Sequence, residues 1–265
     1  MLQQIFAIIA PVLVIALLGY IWERRGMPFD HNIISYLCSY IGAPCLLLHT
    51  LMETAVDMVV IGRVMAAAGL LIAMMALVGW GVVRALKLPV RVYLPAMMFP
   101  NSGNMGLPLC LFAFGQAGLA FGVTFFATMA ALQFSVGISI ARGRVSVRSV
   151  VTNPVIISIA IAGALTAGNV KLPLWIGNAL QVLGNILIPL MLLSLGAALA
   201  KLKVTGFGRS LGFSVLRLAG GFAIAVVLVR LLGLEGAARG SVIIQSAMPV
   251  AVFSYMFSLR FGNRP

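Results

Sequence analysis

The sequence predicts an all-α protein that crosses a membrane many times, and three observations carry that prediction. Of the 265 residues, 62% are hydrophobic and only 9% are charged, too little charge to clothe a water-soluble surface. Apolar runs recur along the whole chain, each about 20 residues long, enough to cross a bilayer core of about 30 Å. The 18 basic residues gather in short clusters between these runs. A net charge of +13 would suggest nucleic acid in a soluble protein, but basic clusters at the ends of apolar runs express the positive-inside bias instead, so nucleic acid is not an expected partner. The period-two alternation of a membrane barrel is absent, and helices are the other way to satisfy a backbone in lipid.

Nine spans follow in order, at about 4–22, 32–51, 58–83, 92–114, 116–140, 151–168, 175–200, 208–232 and 237–259. The opening MLQQIFAIIAPVLVIALLGYIWERRG has no basic leader and too long an apolar run for a signal peptide, so it reads as the first span. With nine spans the loops sort onto two sides. One side holds Arg24, Arg25, Arg84, Lys87, Arg91, Arg142, Arg144, Arg148, Lys201, Lys203, Arg209, Arg260 and Arg264. The other holds only Arg63, Lys171, Arg230 and Arg239. This places the N-terminus outside and the tail after the ninth span in the cytoplasm. Cys38, Cys45 and Cys110 all fall in apolar segments and read as buried small hydrophobes; no metal site is expected.

A shift of 145 residues superposes Met27-Pro28 on Leu172-Pro173, and Pro44 of SYIGAPCLLL on Pro189 of NILIPLMLL. With small gaps Pro11 pairs with Pro154, and Pro100 with Pro249. The halves, 1–145 and 146–265, begin five spans apart, which inverts one relative to the other. Inverted repeats belong to secondary transporters, whose sites lie near the midplane at broken helices in corresponding positions. As written, the second half holds four spans, with no tenth after FGNRP.

The fourth span is interrupted by FPNSGNMGLPL at 99–109. Pro100 removes a donor, Gly103 and Gly106 permit non-helical backbone, and Pro108 adds a second break. Unwound backbone at membrane depth needs a protein interior or a cavity, so Asn101, Ser102 and Asn104 are expected to face one. The counterpart IIQSAMPVAVFS sets Gln245, Ser246 and Pro249 at a similar depth. Two breaks that cross would present half-helix N-termini, whose free N–H groups suit an anion.

The stretch from Asn101 to Leu109 resembles the fourth-span signature N-[ST]-G-x-x-G-x-P-L of the auxin efflux carrier family, part of the bile/arsenite/riboflavin transporter superfamily. Ala247-Met248-Pro249, Phe253 and the run from Phe257 to Gly262 resemble its ninth-span stretch. The likeness covers essentially the whole chain and is close to the bacterial malonate- and malate-type permeases. It implies ten spans with both termini outside, a scaffold domain from spans 1, 2, 6 and 7 that also dimerises, and a transport domain from spans 3, 4, 5, 8 and 9. It also implies small carboxylates as substrates.

The expectation is therefore a secondary carrier of small organic anions in the cell inner membrane, working by alternating access. Its site lies where spans four and nine cross, on Asn101, Ser102, Gly103, Asn104, Gln245, Ser246 and Pro249. Arg217, inside the eighth span, is a candidate helper, although an Arg there can also snorkel to the cytoplasmic face and set topology. No embedded carboxylate, cofactor motif or catalytic constellation is found, so neither an enzyme nor a cofactor is expected. His49 is expected to make a satisfied polar contact, and Tyr40, Gln133, Asn153 and Asn185 to make interhelical hydrogen bonds in preference to lining the domain interface. Two alternatives stand beside the carrier of organic anions. One is a sodium-coupled symporter with Asn101, Ser102, Gln245 and Ser246 as ligands. The other is a non-transporting sensor or assembly subunit.

Overall fold

The computed structural model describes residues 2–53, 57–142, 152–168, 170–201 and 207–250. Every regular element among them is helical: α1 (Leu2–Arg24), α2 (His31–Leu37), α3 (Ala43–Glu53), α4 (Met58–Ala85), α5 (Val90–Met98), α6 (Leu107–Leu132), α7 (Ile138–Arg142), α8 (Pro154–Ala167), α9 (Leu174–Asn185), α10 (Leu187–Lys201), α11 (Phe207–Leu231) and α12 (Gly236–Ser246). Three five-residue π-type turns join α2 to α3 (Cys38–Gly42), precede α6 (Ser102–Gly106) and join α6 to α7 (Gln133–Gly137). Six stretches are long and apolar enough to span a bilayer: Gln3–Arg24, His31–Glu53, Met58–Ala85, Ser102–Ile140, Leu174–Lys201 and Leu211–Leu231; Pro154–Thr166 is shorter. The chain is a polytopic membrane protein with an all-helical fold.

The 39-residue stretch Ser102–Ile140 is too long for one crossing, and α6 contains the reason. Gly115 has φ 64° and ψ −150°, outside the helical region, a conformation open to glycine and strained for any other residue. The chain reverses there. A methyl placed on Gly122 would lie 3.1 Å from Cys110 Cβ, although a straight helix would hold residues 12 apart about 18 Å from each other. The two arms of α6 are thus the second half of the fourth span and the first part of the fifth, divided where the sequence pattern divides them.

Short polar side chains begin several helices by satisfying their free N–H groups. Asp30 accepts from Asn32 N and Ile33 N at 2.8 and 3.1 Å, and Asp57 from Val59 N at 2.9 Å. Asn153, expected to bond between helices, instead caps α8 by accepting from Val155 N and Ile156 N. Tyr40 is 59% exposed, so it faces outward rather than into an interhelical bond. His49 keeps its Nδ1 buried with no hydrogen-bond partner, contrary to the polar contact expected for it.

The helices pack in two groups. In the first, α1 lies along α10, and α3 packs on α8 and α9. Backbones touch there: a methyl on Gly196 would overlap Ala16 O, one on Gly19 would overlap Leu193 O, and one on Gly184 would sit 2.8 Å from Leu46 Cα. In lipid, where apolar surface gains nothing from leaving its surroundings, such close approach supplies the packing energy. At one end of this group Glu23 Oε1 pairs with Lys201 Nζ at 2.9 Å, and Glu23 Oε2 stands 3.4 Å from His31 Nε2. The second group contains α4, α5, α6, α11 and α12, with α12 lodged against both arms of α6. Its core includes Val64, Leu71, Met75, Met97, Phe99, Phe125 and Val242.

Candidate functional site

The break in the fourth span starts at Phe99, where α5 ends in extended backbone (φ −104°, ψ 116°). Pro100 and Val250 then form an isolated antiparallel bridge, and Asn101 N donates to Pro249 O at 2.7 Å. The two interrupted spans therefore cross at their interruptions and are joined there backbone to backbone. Past the crossing the chain enters the π-type turn, in which Met105 N and Gly106 N both reach Asn101 O at 3.3 Å. As the first residues of that turn, Ser102, Gly103 and Asn104 have N–H groups without intrahelical acceptors. Pro108 stands in the first turn of α6. The turn runs into α6 without a gap, Leu107 N donating to Ser102 O, and Pro108, having no N–H, cannot continue that run of hydrogen bonds.

This turn opens into a small crevice between the two helix groups, with a cavity volume of about 30 Å³. Pro100, Asn101, Ser102, Gly103 and Asn104 form one wall; Cys38, Ser39, Gln133, Met129, Phe126 and Met191 are among the residues that complete it. All three π-type turns contribute to the walls, since Cys38 and Ser39 belong to the first and Gln133 and Phe134 to the third. Such turns insert an extra residue into a helix and often accompany function. Ser102 Oγ and Gln133 Nε2 are buried and unpartnered. Among the described residues, none that lines it carries a charge. The crevice thus offers hydrogen-bond donors set in an otherwise apolar surface.

Of the residues proposed from sequence, the structure brings Asn101, Ser102, Gly103 and Asn104 to this crevice, but not Gln245, Ser246 or Arg217. Gln245 lies behind the crossing, fully buried. Its Nε2 donates to Gly122 O at 3.2 Å, and a methyl on Gly106 would overlap its Oε1. Nearby Ser241 Oγ donates to Gly118 O at 3.2 Å. Pro249 contributes its carbonyl to the backbone joint rather than a face to the crevice. Of the expected pair of half-helix N-termini, one stands at the turn Ser102–Gly106, and the other would begin past Val250, outside the described residues. The described part of the ninth-span segment ends its helix at Ser246, so it presents carbonyls, not N–H groups, and Phe253 and the stretch from Phe257 to Gly262 lie outside the described residues.

Arg217 meets those carbonyls. It is fully buried and Nη1 donates to Ser246 O at 3.1 Å, so it does not snorkel to either face. Gly221, one turn along α11, lets the approach happen: a methyl there would overlap both Ser246 O and Arg217 Nη1. Gln133 is the residue that sequence reasoning undervalued, an interhelical hydrogen bond being preferred there to a place on the domain interface. A signal was present, because each π-type turn ends on a glycine (CSYIG, SGNMG and QFSVG). Each of those glycines is pressed by a neighbour, Gly42 by Leu187, Gly106 by Gln245 and Gly137 by Phe99.

The sequence is similar to a curated protein of Methanocaldococcus jannaschii described as an uncharacterized transporter. The two are 30% identical over 169 residues, which cover 59% of this chain and 54% of that protein. The chain therefore spans about half the length of the curated relative it matches. Residues 4–144 and 138–265 both match the family described as membrane transport protein. Spanning helices, a crossing of two interrupted segments and a match over nearly the full length agree, and the chain belongs to the membrane transport protein family.

Proposed function

We propose that this transporter carries small organic anions, of the carboxylate kind moved by the auxin efflux carriers it resembles, through the crevice beside the crossing. The observation that carries this reading is the set of donors at its wall. Ser102, Gly103, Asn104 and Gln133 all line the crevice, Ser102 Oγ and Gln133 Nε2 are buried without partners, and among the described residues no acidic side chain lines it; the first N–H groups of the turn add further donors. An anion at membrane depth needs such donors. The sodium-coupled alternative is weakened, since Gln245 and Ser246 lie behind the crossing from Asn101 and Ser102 and do not complete one ligand set with them.

On this reading α1, α2, α3, α8, α9 and α10 form a scaffold that also dimerises, and α4, α5, α6, α11 and α12 form the moving transport domain. The two groups meet at the crevice, so relative movement would alternately expose it. Two contacts support the inverted repeat. Gly42 packs against Leu187, 145 positions on, and Pro100 bridges Val250, next to its counterpart Pro249. Contacts between repeat-equivalent residues are expected where a two-fold axis passes. The charge bias puts Arg24, Lys87 and Lys201 at the cytoplasmic face of the inner membrane. The Glu23–Lys201 pair agrees that two of those loops share a face, and the 3.3 Å bond from Arg63 Nη1 to Gly233 O joins two loops of the other.

Reconstituted vesicles test the reading. Saturable uptake of a labelled small carboxylate, competed by unlabelled carboxylates and weakened by Ser102→Ala and Gln133→Leu, is the expected result. Uptake unaffected by both substitutions would place the substrate elsewhere.

A further inference from the structure

The chain contains only five acidic residues, Glu23, Asp30, Glu53, Asp57 and Glu235, and all of them stand at helix ends or in loops. Glu23 is held by Lys201 and His31, and Asp30 and Asp57 cap helices. Glu53 closes α3, near Gly177. Glu235 precedes α12, at the opposite end from Ser246 and about 16 Å away along the helix. Arg217, the eleventh of 25 residues in α11, is therefore a guanidinium near mid-membrane with no carboxylate of this chain to balance it. Among the described residues its one partner is the Ser246 carbonyl, while Nε and Nη2 are buried without any, and Ser246 Oγ beside it is unpartnered too. The carbonyl end of α12 supplies at most about half an elementary charge. An ion of this kind is costly in a low dielectric, and paired or functional where it persists.

We infer that Arg217 is the seat of an exchangeable small anion, a halide or a carboxylate, bound at its Nε–Nη2 edge with Ser246 Oγ. This site lies at the carbonyl end of α12, separate from the crevice lining. The guanidinium edge offers two parallel N–H donors, the geometry that suits a carboxylate best and a halide well enough. Because the edge is enclosed by protein in this arrangement, the anion reaches it when α12 and α11 shift relative to each other. Anion binding and the position of the ninth-span break are thereby coupled.

The test is thermal unfolding of the purified full chain in sodium chloride, in sodium acetate and in a bulky sulfonate buffer of equal ionic strength. Chloride or acetate should raise the melting midpoint saturably, by roughly 3–6 °C at about ten times its dissociation constant. Response to chloride alone identifies a halide site, and response to acetate a carboxylate site. Arg217→Met should still fold, since an apolar side chain of similar length often replaces a buried ion without loss, and should lose the response. Arg217→Lys keeps the charge without the fork, and should respond with a markedly weaker apparent affinity; it serves as the second variant should Arg217→Met not fold. Ser102→Ala and Gln133→Leu should keep the full response to chloride even where they abolish uptake, which separates this site from the crevice; any part of the acetate response that they remove belongs to the crevice. A wild-type protein indifferent to small anions, an Arg217→Met protein that responds as wild type, or a chloride response lost with Gln133→Leu would each overturn the inference.

Discussion

Gly106→Ala isolates the contact that holds the two interrupted spans in register. Gly106 has ordinary helical dihedrals, φ −67° and ψ −45°, so space rather than backbone excludes a side chain. A methyl there would overlap Gln245 Oε1 and lie 2.7 Å from its Cδ. Gln245 is fully buried and donates to Gly122 O, so it can yield only by giving up that bond. Losing a buried hydrogen bond costs about 1–3 kcal/mol and overpacking about 1–3 kcal/mol more. Removing a glycine from helical backbone returns up to about 1 kcal/mol. The net destabilisation is about 3 kcal/mol, or a melting midpoint lower by roughly 6–12 °C for a chain of this size. Gln245→Ala makes room for the new methyl, so the double variant should be no less stable than Gln245→Ala alone, a coupling of about 2 kcal/mol or more. A thiol-reactive dye reads the transition, because Cys38 and Cys110 are buried and free until the protein unfolds. If the two substitutions add to within about 0.5 kcal/mol, the overlap with Gln245 is not what excludes a side chain at residue 106.

Gln133→Leu removes a buried donor that has no partner, so it should leave the fold as stable as wild type or more so, while weakening carboxylate binding roughly 5- to 150-fold. Thermal shift and vesicle uptake measured on the same preparation would check both halves of that trade. Gly196→Ala would drive a methyl into Ala16 O, and should part α1 from α10 at a cost of about 1–3 kcal/mol, read as a lower melting midpoint. For sidedness, Lys87 and Lys171 are both exposed. A cysteine replacing Lys171 should react with an impermeant thiol reagent added outside intact cells and one replacing Lys87 should not; the opposite result would invert the topology.

Much of the scaffold was legible because lipid imposes few options. Apolar runs had to be helices, glycine and proline between residues 99 and 109 had to be buried or wetted, and the reversal at Gly115 fell where two apolar runs meet. What stayed hidden depended on partners far along the chain. Gln133 and Asn101 are alike on paper, one polar amide in an apolar stretch, and nothing local tells that both face one crevice. Gln245 beside Pro249 looked like a mirror of Asn101 beside Pro100, yet its amide turns to Gly122 because Gly106 and Gly122 leave space for it on that side. Arg217 could have snorkelled by length alone; the missing methyl at Gly221 allows it to turn inward to Ser246 O instead. For these last two a glycine decides, on a neighbouring helix for Gln245 and on its own helix for Arg217, and a chain with 28 glycines hides those few among many.

The joint between Pro100, Asn101, Pro249 and Val250 is made of peptide groups alone. Replacing the Asn101 side chain leaves its N–H in place, and no change at Pro249 short of moving the chain removes its carbonyl. A survey that truncates side chains one at a time would therefore pass over this connection between the two crossing segments and score it as silent. Only a change in the main chain reaches it, such as proline at residue 101 or an ester in place of that amide. The connection also tolerates almost any drift in the residues around it, so the two segments are tied to move together whatever ligand the surrounding side chains are shaped to hold.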